Sequence, residues 1–307
     1  METKLNYKRT FLIALAFLSI CSFWQMYDNI IPLILQNTYH LGETMTGAVM
    51  ALDNVLAIFL LPVCGMLSDK VHTKLGRRMP FIVVGTILAV IFMMMLPMID
   101  NAEKARWATG GSFSNQVFFL GVLFLTLVSM GLYRSPAVAL MPDVTPNHLR
   151  SRANAVINLM GAVGGVYALI MIKVLVGKGE TPDYLPLFAS IAAVMAIAVG
   201  ILVITIRENK LREEVEKAEA ANADTIEEKA MAEGVEAAGE IEAVGDTGEA
   251  KASDEKQQTA KTESTKDMPK DVKRSMYFML ASIFLWFTAY NAVTTAFSRY
   301  TKVVWKM

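Results

Sequence analysis

Runs of about twenty consecutive apolar residues recur along this chain, and the charged residues gather in the stretches between them. At 1.5 Å per residue, a helix of about twenty residues crosses a hydrocarbon core of about 30 Å. Seven such spans are predicted: Phe11–Leu35, Thr44–Leu67, Phe81–Ile99, Val117–Leu140, Ala153–Gly177, Leu185–Ile206 and Ser275–Phe297. The chain has 307 residues, 54% hydrophobic and 19% charged, with no net charge. A soluble protein would spread that charge along its length, whereas here it is confined to loops. The expected fold class is therefore all-α and membrane-embedded.

The first span follows a short basic stretch, but it is too long for the apolar core of a signal peptide and lacks a small-residue cleavage site. It is read as a retained helix. Cys21 and Cys64 both fall inside spans, where packing is the simplest role, so neither a disulfide nor a metal site is expected. Orientation follows from the cations. Lys4, Lys8 and Arg9 precede the first span; Lys70, Lys74, Arg77 and Arg78 follow the second; Arg150 and Arg152 follow the fourth; a run from Arg207 to Arg274 follows the sixth. The opposite loops are poor in cations: "QNTYHLGET" has none, and "DNAEKARWATGGSFSN" sets Lys104 and Arg106 against two acids. The positive-inside rule then predicts a cytosolic N-terminus in a plasma (inner) membrane protein, with the linker after the sixth span also in the cytosol.

That linker changes the character of the chain. From Glu208 it is rich in Ala, Glu and Lys at helical spacing, which predicts a solvated helix, and "VGDTGEAKASDEKQQTAKTESTKD" has almost no apolar residues and is expected to be disordered. The predicted organisation is a six-helix unit over 1–206, a cytosolic linker over 207–274 and a seventh helix in 275–307.

The stretch "GMLSDKVHTKLGRRMPF", Gly65 to Phe81, packs an Asp, two Lys and two adjacent Arg between two apolar runs. It is too short to fold alone. Asp69, at the end of the second span, can pair with an Arg or accept hydrogen bonds from a neighbouring helix N-terminus. Such a contact can hold one state of a two-state rocking motion and break in the other. Lys70 and Lys74 read first as topology anchors; Asp69, Gly76, Arg77 and Arg78 read as a latch. Asp143 with Arg150 and Arg152 predicts a second acid–base cluster at the same face. The island resembles the signature loop of the major facilitator superfamily, an Asp followed by basic residues and a Gly, with the spacing between "SDK" and "GRR" stretched and "MPF" following. Together with "FLLPVCG" (which holds Gly65) and "YRSPAVALMPDVTPNHLRSRANA", it is similar to the sucrose–proton symporters and their glycoside–pentoside–hexuronide cation symporter neighbours. The resemblance covers nearly the whole ordered part of the chain. It implies a six-helix N-terminal bundle plus a seventh helix, truncated from twelve.

Ionisable residues inside a span cost about 3 kcal/mol or more and are functional candidates by default. Three stand out: Asp28 in "WQMYDNIIP", Asp53 in "ALDNVLA" and Arg134 in "GLYRSPA". By helical rise, Asp28 lies about 10 Å and Asp53 about 13 Å from the outer ends of their spans, at similar depth, and Arg134 about 9 Å from the cytosolic end of its own. Asn158, with Asn154 one turn away on the same face, lies close to the depth of Arg134. Two acids above an Arg and two amides would make a polar column. A carboxylate in hydrocarbon is disfavoured as the anion, so it can take up and release a proton near neutral pH. Asp28 and Asp53 are thus the proton-coupling candidates, with a structural hydrogen bond as the plainer role. Arg134, Asn154 and Asn158 are the substrate-binding candidates; a static ion pair is the plainer role for Arg134. In "GAVGG", Gly161 and Gly165 are expected to permit close helix approach, and Pro32, Pro62 and Pro136 to kink their helices.

The chain departs from the family pattern in places. Sucrose carriers have an Arg where Val138 stands; Arg134 lies four residues earlier on the same helical face. The two acids that melibiose-type carriers use for sodium are replaced here by Ala57 and Leu61, which favours the proton as coupling ion. Plant sucrose carriers have a His in the first external loop; His40 lies in that loop among unlike neighbours, so no role is carried to it. The resemblance implies a non-enzymatic secondary transporter of a sugar or glycoside by proton symport, with no other cofactor and no metal. Its partners would be the lipid bilayer and a small sugar, with no nucleic acid. Because the sequence ends about ten residues after the seventh span, the family pattern also implies a missing C-terminal half. A major facilitator exporter of drugs or metabolites is the alternative, and a seven-helix sensor the weaker one, since the N-terminus is expected in the cytosol and the seventh span has no mid-membrane Lys.

Overall fold

The computed structural model describes residues 6–71, 73, 75–109, 115–177 and 182–217, and of the remainder only 274, 275, 277–279, 281, 282, 285, 286 and 289. Six long helices follow one another: α1 (Tyr7–Asn37), α2 (Glu43–Lys70), α3 (Met79–Ala108), α4 (Gln116–Asp143), α5 (Arg150–Leu175) and α6 (Leu185–Thr205). A 3-10 turn, Asn147–Leu149, leads into α5, and residues 208–217 form a further helical segment. No strand occurs among the described residues, and all six named helices are long and apolar enough to cross a membrane. The chain divides after Asn222 into two units, and every helix named so far lies in the first. In the second, the described residues between 274 and 289 are helical; the rest of the predicted seventh span, and the linker over 218–273, lie outside the described residues.

α1 packs on α5 and α6, α3 packs on α4 and α6, and α2 packs on α4. The buried stripe of α1, through Ile13, Ala16, Ile20, Phe23, Tyr27, Ile30 and Ile34, recurs every three or four residues, as one face of a helix must. In lipid there is no hydrophobic drive between helices, so close packing of small residues and interhelical hydrogen bonds hold the bundle. Gly164 shows this most directly: a Cβ there would lie 2.1 Å from the Leu18 carbonyl oxygen. The Ser22 hydroxyl lies 2.8 Å from the Leu18 oxygen and 2.9 Å from that of Gly164, linking the two backbones. The expected close-approach glycines were Gly161 and Gly165. Gly161 does face α1, with Cys21 Sγ 3.0 Å from its would-be Cβ, but Gly165 meets only Gln25 Oε1 at 3.8 Å. The contact thus runs along the 161–164 edge, and Gly165 lies off it. Between α4 and α1, the Tyr133 hydroxyl lies 2.7 Å from Ser19 Oγ and donates to Ala16 O at 3.1 Å. Outward, large apolar side chains such as Ile58, Phe59, Val117, Leu159, Val174 and Ile204 stand exposed. A surface of this kind belongs in hydrocarbon.

α3 is longer than predicted. The apolar pattern stops at Ile99, but the helix continues to Ala108. Asp100 and Glu103 are buried rather than solvated. Asp100 accepts from Thr38 Oγ1 at 2.6 Å and pairs with Lys104, one turn on, at 2.5 Å. Lys104 also donates to Pro182 O at 2.6 Å and sits 4.6 Å above the Tyr184 ring. Glu103 accepts the backbone N–H of Asn115 at 3.1 Å. Internal pairing at helical spacing carries the helix past the point where hydrophobicity ends.

Candidate functional site

Halfway along α1, three aromatic rings pack together. Phe23 and Trp24 have centroids 5.4 Å apart, and Trp24 and Tyr27 lie edge to face at 5.5 Å. The Arg134 guanidinium of α4 sits over the Trp24 ring, 5.5 Å from its centroid. Asp28 follows Tyr27 directly and lies within electrostatic reach of Asp53 on α2, and Asp53 in turn lies within reach of Arg134. Asp53 accepts from Asn54 Nδ2 at 3.0 Å. Among the described residues, neither acid makes an ion pair within 4.0 Å, and nor does Arg134. Two buried polar atoms here also have no partner among the described residues: Trp24 Nε1 and the Tyr27 hydroxyl. The cluster therefore holds two unpaired carboxylates, a guanidinium over an aromatic face and two unmet polar groups, arranged about α1, α2 and α4.

The sequence placed Arg134 below the acids, in a column with Asn154 and Asn158. The structure brings Arg134 within electrostatic reach of Asp53 instead, with its guanidinium over the Trp24 ring. Asn154 and Asn158 are exposed on α5, whose buried stripe runs through Ala153, Ile157 and Gly161, and among the described residues no hydrogen bond joins either to Arg134. Trp24 and Tyr27 were missed: α1 also carries Phe11, Phe17 and Phe23, so two more aromatic residues on it gave no signal.

At the other end of the bundle, the polar island closes on itself. Arg78 pairs with Asp69 at 2.8 Å and with Asp143 at 3.0 Å; Arg77 pairs with Asp143 at 2.8 Å and with Asp69 at 3.5 Å. The Arg78 guanidinium also donates to Ser68 Oγ at 2.6 Å and to the Gly65 carbonyl at 3.4 Å. Two carboxylates and two guanidinium groups thus tie together the ends of α2 and α4 and the start of α3. Burial works against the Arg77 cation, but its hydrogen bond to Asp143 and the charges of Asp143, Asp69 and Glu208 outweigh this and hold its pKa above the ordinary value.

The expected second cluster, Asp143 with Arg150 and Arg152, is not formed. Asp143 joins the island's arginines, so the two predicted clusters are one. Arg150, the first residue of α5, donates instead to the Pro142 and Thr145 carbonyls at 2.9 and 3.3 Å, where its charge meets the negative end of α4. Arg152 is exposed and makes no ion pair among the described residues. Lys70 is the last residue of α2, and Lys74 lies outside the described residues.

A residue read as solvated linker completes the arrangement. Glu208 is fully buried, and its carboxylate accepts the backbone N–H groups of Arg77 at 2.9 Å, of Arg78 at 3.0 and 2.9 Å and of Met79 at 3.1 Å. These are the free donors at the start of α3, where a helix favours negative charge. Gly76 makes room for it: its φ is +127°, and a Cβ there would stand 2.2 Å from Glu208 Oε2. Thr73 Oγ1 donates to the Gly76 carbonyl at 2.6 Å, and Asn209 Nδ2 to the Thr73 carbonyl at 3.1 Å, pinning the loop to the segment after α6. Arg9 at the start of α1 pairs with Glu214 of that segment at 2.7 Å. Charge-rich composition hid Glu208, because nothing in its neighbours' sequence distinguishes an acid that turns inward.

The sequence profile of the Major Facilitator Superfamily matches residues 5–304. The chain is 26% identical over 137 residues to sucrose transport protein SUT3 of Oryza sativa subsp. japonica, a match covering 42% of this chain and 27% of that protein. It is 36% identical over 117 residues to sucrose transport protein SUC4 of Arabidopsis thaliana, covering 36% of this chain and 22% of that protein. To sucrose transport protein SUC3 of Arabidopsis thaliana it is 24% identical over 151 residues, 47% of this chain and 25% of that protein. The chain spans about a quarter of the length of the curated relatives it matches.

Proposed function

The chain belongs to the Major Facilitator Superfamily, and on that premise we propose that it serves proton-coupled symport of a sugar or glycoside by alternating access. The observation that carries the reading is the cluster of Asp28, Asp53 and Arg134 around Trp24 and Tyr27. The Trp24 N–H, the Tyr27 hydroxyl and the Arg134 fork are suited to sugar hydroxyls. Asp28 and Asp53 are the candidates for the coupled proton, because an acid held in the membrane without an ion-pair partner is stable only when it can neutralise. A proton on either acid relieves the repulsion between the two carboxylates. The relatives carry the name sucrose transport protein, so a disaccharide is the substrate to try first.

The island works on this reading as a cytosolic latch. Asp69, Arg77, Arg78 and Asp143 hold α2, α3 and α4 together in one state and separate in the other, with the N-terminus and the island in the cytosol. Glu208 and Gly76 set the loop's shape so that both arginines face the acids.

Acid-driven uptake of labelled sucrose into cells expressing the chain, alone and together with a six-helix C-terminal half of the same family, tests the proposal. Asp28→Asn or Asp53→Asn should abolish acid-driven accumulation while leaving substrate exchange or binding measurable. Full accumulation in both variants would overturn the assignment.

A further inference from the structure

Where α3 begins and α6 ends, the seam between them opens into a groove of about 410 Å³. Its walls are two rows of residues spaced four apart: Val83, Ile87 and Ile91 on α3, and Ala196, Gly200 and Ile204 on α6. Each row spans eight residues, so the groove runs about 12 Å along the helices. Gly200 creates the gap, since a Cβ added there meets nothing within 4 Å. The lining is almost wholly apolar, and Thr86, the hydroxyl residue in it, spends its proton on the Ile82 carbonyl at 2.7 Å. Nothing in the groove asks for a polar ligand.

Its mouth is different. Arg207 follows Ile204 by three residues, within about 10 Å along the chain, and Lys210 follows by six; both are exposed. Among the described residues neither makes an ion pair, and the acids around them are committed. Glu208 is held by the α3 N-terminus, Glu214 by Arg9, Glu213 by Lys217 and Glu216 by Arg212. An acyl-sized apolar slot thus ends three and six residues along the chain from two exposed cations that make no ion pair among the described residues.

We infer that this α3–α6 groove is a binding site for an anionic phospholipid, with one acyl chain in the slot and the headgroup phosphate against Arg207 and Lys210. Any lipid can lay a chain in the slot, because the bilayer itself is equally apolar. Selection for anionic lipid comes from the cations, each of which favours a negative headgroup about fivefold. Both together predict an enrichment of about tenfold or more over a zwitterionic lipid.

The test is photolabelling of the full chain in nanodiscs with phosphatidylglycerol or phosphatidylcholine carrying the same diazirine acyl chain. Label from phosphatidylglycerol should concentrate on peptides covering 83–91 and 196–204, about tenfold above that from phosphatidylcholine. Gly200→Phe, whose side chain has open space to enter, should cut labelling of those peptides several-fold for both lipids. Arg207→Gln combined with Lys210→Gln should make the two lipids label alike, and these exposed positions leave the helix packing untouched. Equal labelling by the two lipids in the unmodified chain would overturn the inference. So would labelling unchanged by Gly200→Phe, or protein–protein crosslinks between copies through the groove in place of lipid label.

Discussion

Glu208, fully buried, contributes to stability through four short contacts with three backbone N–H groups. A hydrogen bond to a charged group is worth about 1.5–3 kcal/mol, and a helix cap about 0.5–2 kcal/mol. Removing the carboxylate also leaves the N–H groups at the start of a 30-residue helix unmet. Glu208→Ala is expected to cost about 2–4 kcal/mol, with Glu208→Gln intermediate, because the amide keeps one acceptor and loses the charge. The thermal unfolding midpoint in detergent measures this; an unchanged midpoint in Glu208→Ala would make the carboxylate dispensable. Arg134 shows the converse. It is a cation in the membrane with no acid within ion-pair distance among the described residues, so its contact with the Trp24 face, 5.5 Å away, stabilises it beside the more distant charge of Asp53.

At the scale of elements, the six helices were legible because lipid imposes one rule on every exposed side chain, and length alone then counts the spans. Their ends were legible only where hydrophobicity and helix stop together. α3 outran its apolar run because Asp100 and Lys104 pair inside the fold, and a sequence shows charges but not their partners. The contact between α1 and α5 was half legible: "GAVGG" announced a close approach, but only the rotation of α5 decides which glycine bears it. That rotation gives a sharp contrast. Gly164→Ala forces a methyl onto a backbone oxygen that cannot move aside, so it should separate the helices and cost about 1–3 kcal/mol or more. Gly165→Ala, with 3.8 Å to a mobile side-chain atom, should cost under about 0.5 kcal/mol. Parallel denaturation of the two variants measures the difference, and equal losses would mean that α5 is rotated from the position described. The candidate site followed the same division. Asp28, Asp53 and Arg134 were visible because charge is rare in such helices, whereas Trp24, Tyr27 and Glu208 carry residue types that are unremarkable where they stand.

For the molecule as a whole, two helices link the polar centres: α2, through Asp53 and Asp69, and, over a shorter distance, α4. It carries Arg134 over Trp24 and, nine residues on, Asp143 in the island, about 14 Å away along one helix. A movement of α4 that loosens one centre must disturb the other, which is the property an alternating-access carrier needs. The island is also the place where α2, α3 and α4 can be uncoupled by one substitution. Arg78 and Asp143 have side chains 7% and 19% exposed, so removing one partner strands a largely buried charge and costs about 3–5 kcal/mol. Asp143→Asn takes one acid from both arginines at once, leaving Asp69 as the one ion-pair partner of two guanidinium groups among the described residues. The ends of α2 and α4 should then part. Cys64 reports on this directly, because it is buried near the end of α2, beside Gly65 whose carbonyl accepts from Arg78. In a Cys21→Ser background, alkylation of Cys64 by N-ethylmaleimide in native membranes should rise several-fold in Asp143→Asn. Arg152→Gln, which removes an exposed cation with no ion pair among the described residues, should leave the rate unchanged and so serves as the control for charge alone. If Cys64 stays as slow in Asp143→Asn as in the parent, the island does not hold the helix ends together, and its four charges serve topology only.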